Sequence, residues 1–115
     1  MASARAMLER RRSSRVPMRI PVKVHRCDSN QEVQDTPAEA ISVSRYGALL
    51  RAPFLPELGS RIEVRHGLSH EVREFRVISV RSPREKGVFE LGIEMYHPGK
   101  NFWGVRFPDE RYPAA

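Results

Sequence analysis

Short segments in which apolar and polar residues alternate constrain the fold of this 115-residue chain more than any other feature. The clearest segment lies near the C-terminus, where Phe89, Leu91, Ile93 and Met95 alternate with Glu or Gly. A period of two is that of a β-strand with one buried face, whereas an amphipathic helix repeats every 3.6 residues. This segment is therefore predicted to be a strand with its apolar side chains in a core.

Six strands of this kind are predicted along the chain, and residues typical of turns separate them. They cover residues 18–25, 38–43, 48–52, 61–66, 72–81 and 89–95. In the first strand, Met18, Ile20, Val22 and Val24 are predicted to face inward. Glu74 interrupts the alternation of the fifth strand and predicts a β-bulge. Six short strands joined by turns favour an antiparallel barrel or sandwich over an α/β fold.

Length and composition limit the other possibilities. A chain of this size forms one domain. No purely apolar run is longer than Ala48 to Leu50, which is far short of the roughly 18 residues of a membrane span, and no apolar signal core follows the N-terminal arginines. Cys27 is the single cysteine and cannot form an internal disulfide. We therefore expect a protein of the cytoplasm.

The positive charge is concentrated at the N-terminus. Residues 1–26 contain seven arginines and one lysine against one acid, or +7, and residues 27–115 contain twelve basic and thirteen acidic residues, or −1. A nucleic-acid groove would spread positive charge over the folded body as well. The predicted organisation is a flexible basic arm (1–15), a barrel (16–108) and a tail (109–115).

Two short motifs flank the first predicted strands. Arg11 and Arg15 form an Arg-x-x-x-Arg motif just before the first strand, and Ser42-Val43-Ser44-Arg45-Tyr46-Gly47 joins the second strand to the third. In this order and context the two motifs resemble those of the PilZ family. The resemblance implies an all-β fold, a six-stranded antiparallel split barrel, and binding of the bacterial second messenger cyclic di-GMP with signalling to a partner protein.

The resemblance also implies which residues bind the ligand. Cyclic di-GMP has two phosphates and two guanines, and an arginine can bind a phosphate, donate two hydrogen bonds to a guanine edge or stack on a base. Arg11, Arg15, Ser44 and Gly47 would form the site. Three further residues would support ligand binding: Arg10, Arg12 and Ser42. Ligand binding would then order the arm against the barrel.

Two positions of the second motif carry more detailed expectations. Most members of the family have Asp or Asn where this chain has Ser42, and a serine makes fewer and weaker hydrogen bonds, so we expect an affinity lower by about one to two decades. Gly47 is expected either to adopt a positive φ or to let the ligand approach the backbone. Ser42 and Ser44 could also be ordinary strand-end and turn serines.

No catalytic or metal site is predicted. His66 and His70 are the only close pair of histidines, and they flank a predicted turn without a third ligand. Phe102 and Trp103 are expected to cap one end of the barrel on a short helical turn, as core rather than ligand-stacking residues. Two other functions stay open: a PilZ-like interaction module that binds no ligand, and nucleic-acid binding through the arm.

Overall fold

The computed structural model describes residues 15–26, 35–82, 86–97, 101–105 and 107. They form six antiparallel β-strands: β1 (Val16–Arg26), β2 (Thr36–Val43), β3 (Gly47–Ala52), β4 (Arg61–His66), β5 (Val72–Arg81) and β6 (Phe89–Met95). The strands close into a barrel in the order β1-β2-β3-β6-β5-β4. The predicted six-stranded antiparallel barrel is confirmed, and the bounds of β4, β5 and β6 agree with the predicted ones.

The inward side chains of all six strands form one apolar core. Val22 and Val24 of β1 and Leu91 and Ile93 of β6 are buried at alternate positions, as the period of two predicts. Each residue between them contributes its side chain to the outer face. Sequence periodicity therefore determines which residues are available on the barrel surface.

Two details of the strand predictions are wrong. Met18 was predicted to be buried, but its side chain is 43% exposed, because the register of β1 against β2 shifts between Pro17 and Ile20. Glu74 pairs regularly with Glu63, so no bulge occurs there. The bulge of β5 lies at Ile78, between the registered residues Val77 and Ser79.

Phe102 and Trp103 are buried at one end of the barrel, each 2% exposed. Their rings lie 4.8 Å apart edge to face, and both contact Phe75. The core role predicted for the pair is thus confirmed. The short helical turn predicted with them is wrong for residues 101–105, which form bends without helical hydrogen bonding. Residues 98–100 of that prediction lie outside the described ranges.

His66 joins this aromatic cluster to the turn after β4. The N–H groups of Leu68 and Ser69 donate to its Nδ1 at 3.0 and 3.3 Å. With Nδ1 an acceptor, the ring proton is on Nε2, which donates to the carbonyl of Trp103 at 3.3 Å. One buried imidazole therefore connects the turn at 67–70 with the segment at 101–105.

Candidate functional site

The register of β1 against β2 brings the described parts of the two motifs together. Val16 is paired with Val43, and Pro17 is paired with Ser42. Arg15, which is exposed, therefore precedes β1 beside the end of β2. The predicted site residues Arg10, Arg11 and Arg12 lie outside the described residues. The structure thus places Arg15, Ser42, Ser44 and Gly47 at one end of β1, β2 and β3.

Ser44 holds the turn between β2 and β3. Its Oγ accepts hydrogen bonds from the N–H groups of Gly47 at 3.1 Å and Tyr46 at 3.3 Å. The N–H of Ser44 donates to the Gly47 carbonyl at 2.9 Å, which closes the turn. A serine whose hydroxyl satisfies backbone N–H groups is a common turn device. Ser44 is accordingly required by the local fold.

Gly47 is required by a close approach between strands. Its φ is not positive, so the predicted left-handed conformation is wrong. A Cβ added at this position would lie 2.0 Å from the carbonyl oxygen of Ile93 in β6. Only a residue without a side chain allows the backbones of β3 and β6 to come this close. Strand packing thus accounts for the glycine, and the approach of a ligand to its backbone stays a prediction.

Ser42 faces outward because β2 contains an extra residue. Ala40 pairs with Leu50, and Ser42 pairs with the next residue of β3, Leu49, so Ile41 is unopposed. With strict alternation Ser42 would point into the core like Ala40. The β-bulge instead leaves Ala40 and Val43 buried and Ser42 half-buried on the outer face. The surface position of the motif serine thus depends on an irregularity that alternation alone does not predict.

An uncharged row of side chains begins at this serine and crosses the outer face. Successive cross-strand partners define it: Pro17, Ser42, Leu49, Gly92 and Ser79. A row that contains charged residues lies on either side, and opposite charges alternate along the first of the two. One contains Glu39, Arg51, Glu90 and Arg81, and the other contains Glu94, Arg76 and Arg61. The motif end therefore adjoins a narrow uncharged strip, called here the outer row.

The outer row contains a second bulge that matches the first. In β5 the unopposed residue is Ile78, and Ser79 pairs with Gly92 as Ser42 pairs with Leu49. The local sequences, Ile41-Ser42-Val43 and Ile78-Ser79-Val80, are the same three residues. The same three residues thus occur at both bulges. The repeat relates the two positions, but the bulges and the outward serines follow only from how the strands pair.

Aromatic and basic side chains continue the surface around the motif turn. Tyr46 is 39% exposed, and the guanidinium of Arg45 lies 5.9 Å from its ring centroid. The backbone of the same turn is held by β6, since the N–H of Met95 donates to the carbonyl of Tyr46 at 2.7 Å. The backbone of the turn is therefore held by Ser44 within the turn and by Met95 of β6, while the side chains of Arg45 and Tyr46 are exposed.

A shallow groove of about 450 Å³ lies elsewhere on the surface, across β1 and β4. Its lining is balanced in charge, since Lys23 and Arg65 stand against Asp35 and Glu63, and Asp35 lies 3.7 Å from Arg65. Within the described residues, His, Cys, Asp and Glu form no group of three that could hold a metal ion. In the same part of the chain, no helix is long and apolar enough to cross a membrane.

Comparison with protein-family models gives a match over most of the chain. The family model described as PilZ domain matches residues 9–102, which is most of the chain and includes both motifs. No curated protein matches the sequence at a significant level.

Proposed function

Because the chain belongs to the PilZ domain family, we propose that it is a receptor or adaptor for cyclic di-GMP. The observation that carries the proposal is the β1–β2 ladder, which aligns Val16 with Val43 and Pro17 with Ser42. Arg15 thereby lies on the surface, next to the end of β2 that carries Ser42. Arg15, the described residue of the arginine motif, and the serine motif are separate in sequence but lie at the same end of the barrel.

Each proposed contact has a chemical basis. Arg11 and Arg15 would bind the phosphates and guanines, and a bidentate arginine–guanine contact discriminates by roughly 1 to 3 kcal/mol. Arg10 and Arg12 would add positive charge, and Ser42 would hydrogen-bond a base from the outer face. Ser44 and Gly47 would act indirectly, because their described contacts shape the turn and the β3–β6 contact.

The proposed signal is the closing of residues 1–15 over the bound ligand. Ordering a segment on binding costs about 2 to 5 kcal/mol of the gross interaction energy. Such a segment would present a different surface to a partner protein in the two states. Hydrogen exchange of residues 1–15 with and without cyclic di-GMP would measure this change, and equal exchange would exclude the closing step.

Calorimetric titration with cyclic di-GMP tests the binding itself. We expect heat and a raised melting temperature for the intact chain, and loss of at least about tenfold in affinity for Arg15→Ala. Arg81→Ala removes an exposed arginine from the far end of β5 and serves as the control. Absence of binding by the intact chain at high micromolar ligand contradicts the proposal.

A second candidate is an interaction module that binds no cyclic di-GMP. The observation in its favour is that Ser44 and Gly47 are both accounted for by backbone contacts within the barrel. A protein partner retained by the chain after Arg11 and Arg15 are both changed to Ala, without added ligand, would support it. Ligand-dependent capture of that partner would support the receptor instead.

A further inference from the structure

We propose that Ile41 and Leu49, together with Pro17, form an apolar floor on which one guanine of cyclic di-GMP lies. Pro17 and Leu49 are the cross-strand partners of Ser42 on its two sides. Ile41 is the unopposed residue of the bulge that precedes Ser42. The proposed polar contact is thus surrounded by three uncharged side chains on the outer face, and no arginine or serine motif includes them.

Burial shows that the floor is separate from the core. Ile41 and Leu49 are both half-buried, yet neither belongs to the core nor to the apolar residues packed against it. Their inward neighbours Ala40, Val43 and Leu50 are fully buried instead. Ile41 and Leu49 therefore lie outside the core cluster, and each leaves part of its apolar surface exposed.

Shape and charge favour a planar base as the occupant. Next along the outer row is Gly92, and the space above it is taken by the Ser79 side chain, so the apolar area ends there. Charged rows border the strip, so the uncharged area is narrow in one direction. Arg15 lies at its β1 end, where a phosphate joined to the base would meet a guanidinium. An apolar face beside a cation is what a nucleotide base and its phosphate require together.

The role of the floor rests on the proposed function. The second Ile-Ser-Val bulge, at Ile78 in β5, provides a matched control. Ile41→Ala removes floor area, while Ile78→Ala makes the same change at the equivalent bulge of β5, distant from Arg15. We expect titration with cyclic di-GMP to show about a tenfold loss of affinity for Ile41→Ala and no change for Ile78→Ala.

Leu49→Thr is the second variant, since threonine suits a strand and removes apolar area. Melting temperatures without ligand establish that each variant is folded. Unchanged affinity in both Ile41→Ala and Leu49→Thr overturns the floor while leaving the proposed function intact. Equal losses in Ile41→Ala and Ile78→Ala also overturn it. Absence of binding by the unmodified chain overturns the proposed function, and the floor with it.

Discussion

At the scale of single residues, two glycines of the outer face differ in what a methyl group would meet. At Gly47 the obstacle is the backbone carbonyl of Ile93, which is part of the β3–β6 ladder. At Gly92 the nearest atom to an added Cβ is the Oγ of Ser79, at 2.2 Å. A hydroxymethyl group can rotate, whereas a laddered carbonyl cannot move without breaking hydrogen bonds.

Gly47→Ala is therefore expected to lower the free energy of unfolding by about 2 to 3 kcal/mol, the cost of forcing two packed strands apart. Gly92→Ala should cost about 1 kcal/mol or less, because the Ser79 side chain can turn away. Urea denaturation of the two variants measures the difference. Equal costs would show that the β3–β6 spacing is not the reason for Gly47.

Ser42→Asp tests the polar contact of the proposed site. A carboxylate on the outer face beside Arg15 would accept stronger hydrogen bonds from a guanine edge, so we expect affinity for cyclic di-GMP to rise by about ten- to a hundredfold. Ser79→Asp places the same charge after the equivalent bulge of β5 and should leave affinity unchanged. Weaker binding of Ser42→Asp by titration calorimetry would contradict the role given to this position.

The sequence predicts the inward residues well and the irregular ones poorly. Val22, Val24, Leu91 and Ile93 follow strict alternation, which has one physical cause, burial of one face. Met18 does not, because the register shift between β1 and β2 depends on how two strands pair, which neither strand determines alone. The sequence could not predict the outward position of Ser42 for the same reason, because the bulge in β2 depends on its pairing with β3.

At the scale of elements, the His66 side chain connects the turn at 67–70 to the segment at 101–105 through hydrogen bonds. His66→Phe would keep an aromatic ring against Phe102 but leave the N–H groups of Leu68 and Ser69 and the Trp103 carbonyl without this partner. We expect a loss of about 2 to 4 kcal/mol in the free energy of unfolding.

Thermal and urea unfolding would measure this loss. His70→Asn is the control in the same turn, since His70 is exposed at a φ of 66° that asparagine tolerates. Its stability should change by less than about 0.5 kcal/mol. A similarly small effect of His66→Phe would mean that water replaces the three hydrogen bonds at no cost.

At the scale of the whole molecule, closure of the barrel depends on pairing between distant parts of the chain. β1 pairs with β4, for example through Val24 and Val64, and β3 pairs with β6. Non-local pairing of this kind gives slow folding for a chain of this size, in the range of milliseconds to seconds. Because all six strands surround one core, the apolar face of each strand stays buried only while the other strands are in place.

The expected consequence is a single unfolding transition. Trp103, the only tryptophan, is buried at one end of the barrel, so its fluorescence reports on that end, and far-ultraviolet circular dichroism reports on the strands. The two signals should have coincident midpoints in urea. An earlier midpoint for Trp103 would show that the segment at 101–105 detaches before the barrel unfolds.

The bulge at Ile78 also determines where a chain of this fold can vary in length. Deletion of Ile78 would leave Val77 opposite Ile93 and Ser79 opposite Gly92. Every later residue of β5 would therefore stay on the same face of the barrel. The equivalent loss of Ile41 is less readily accommodated, because β1 already has one residue more than β2 between Pro17 and Ile20. Across evolution, one-residue deletions should therefore be tolerated at Ile78 and selected against at Ile41.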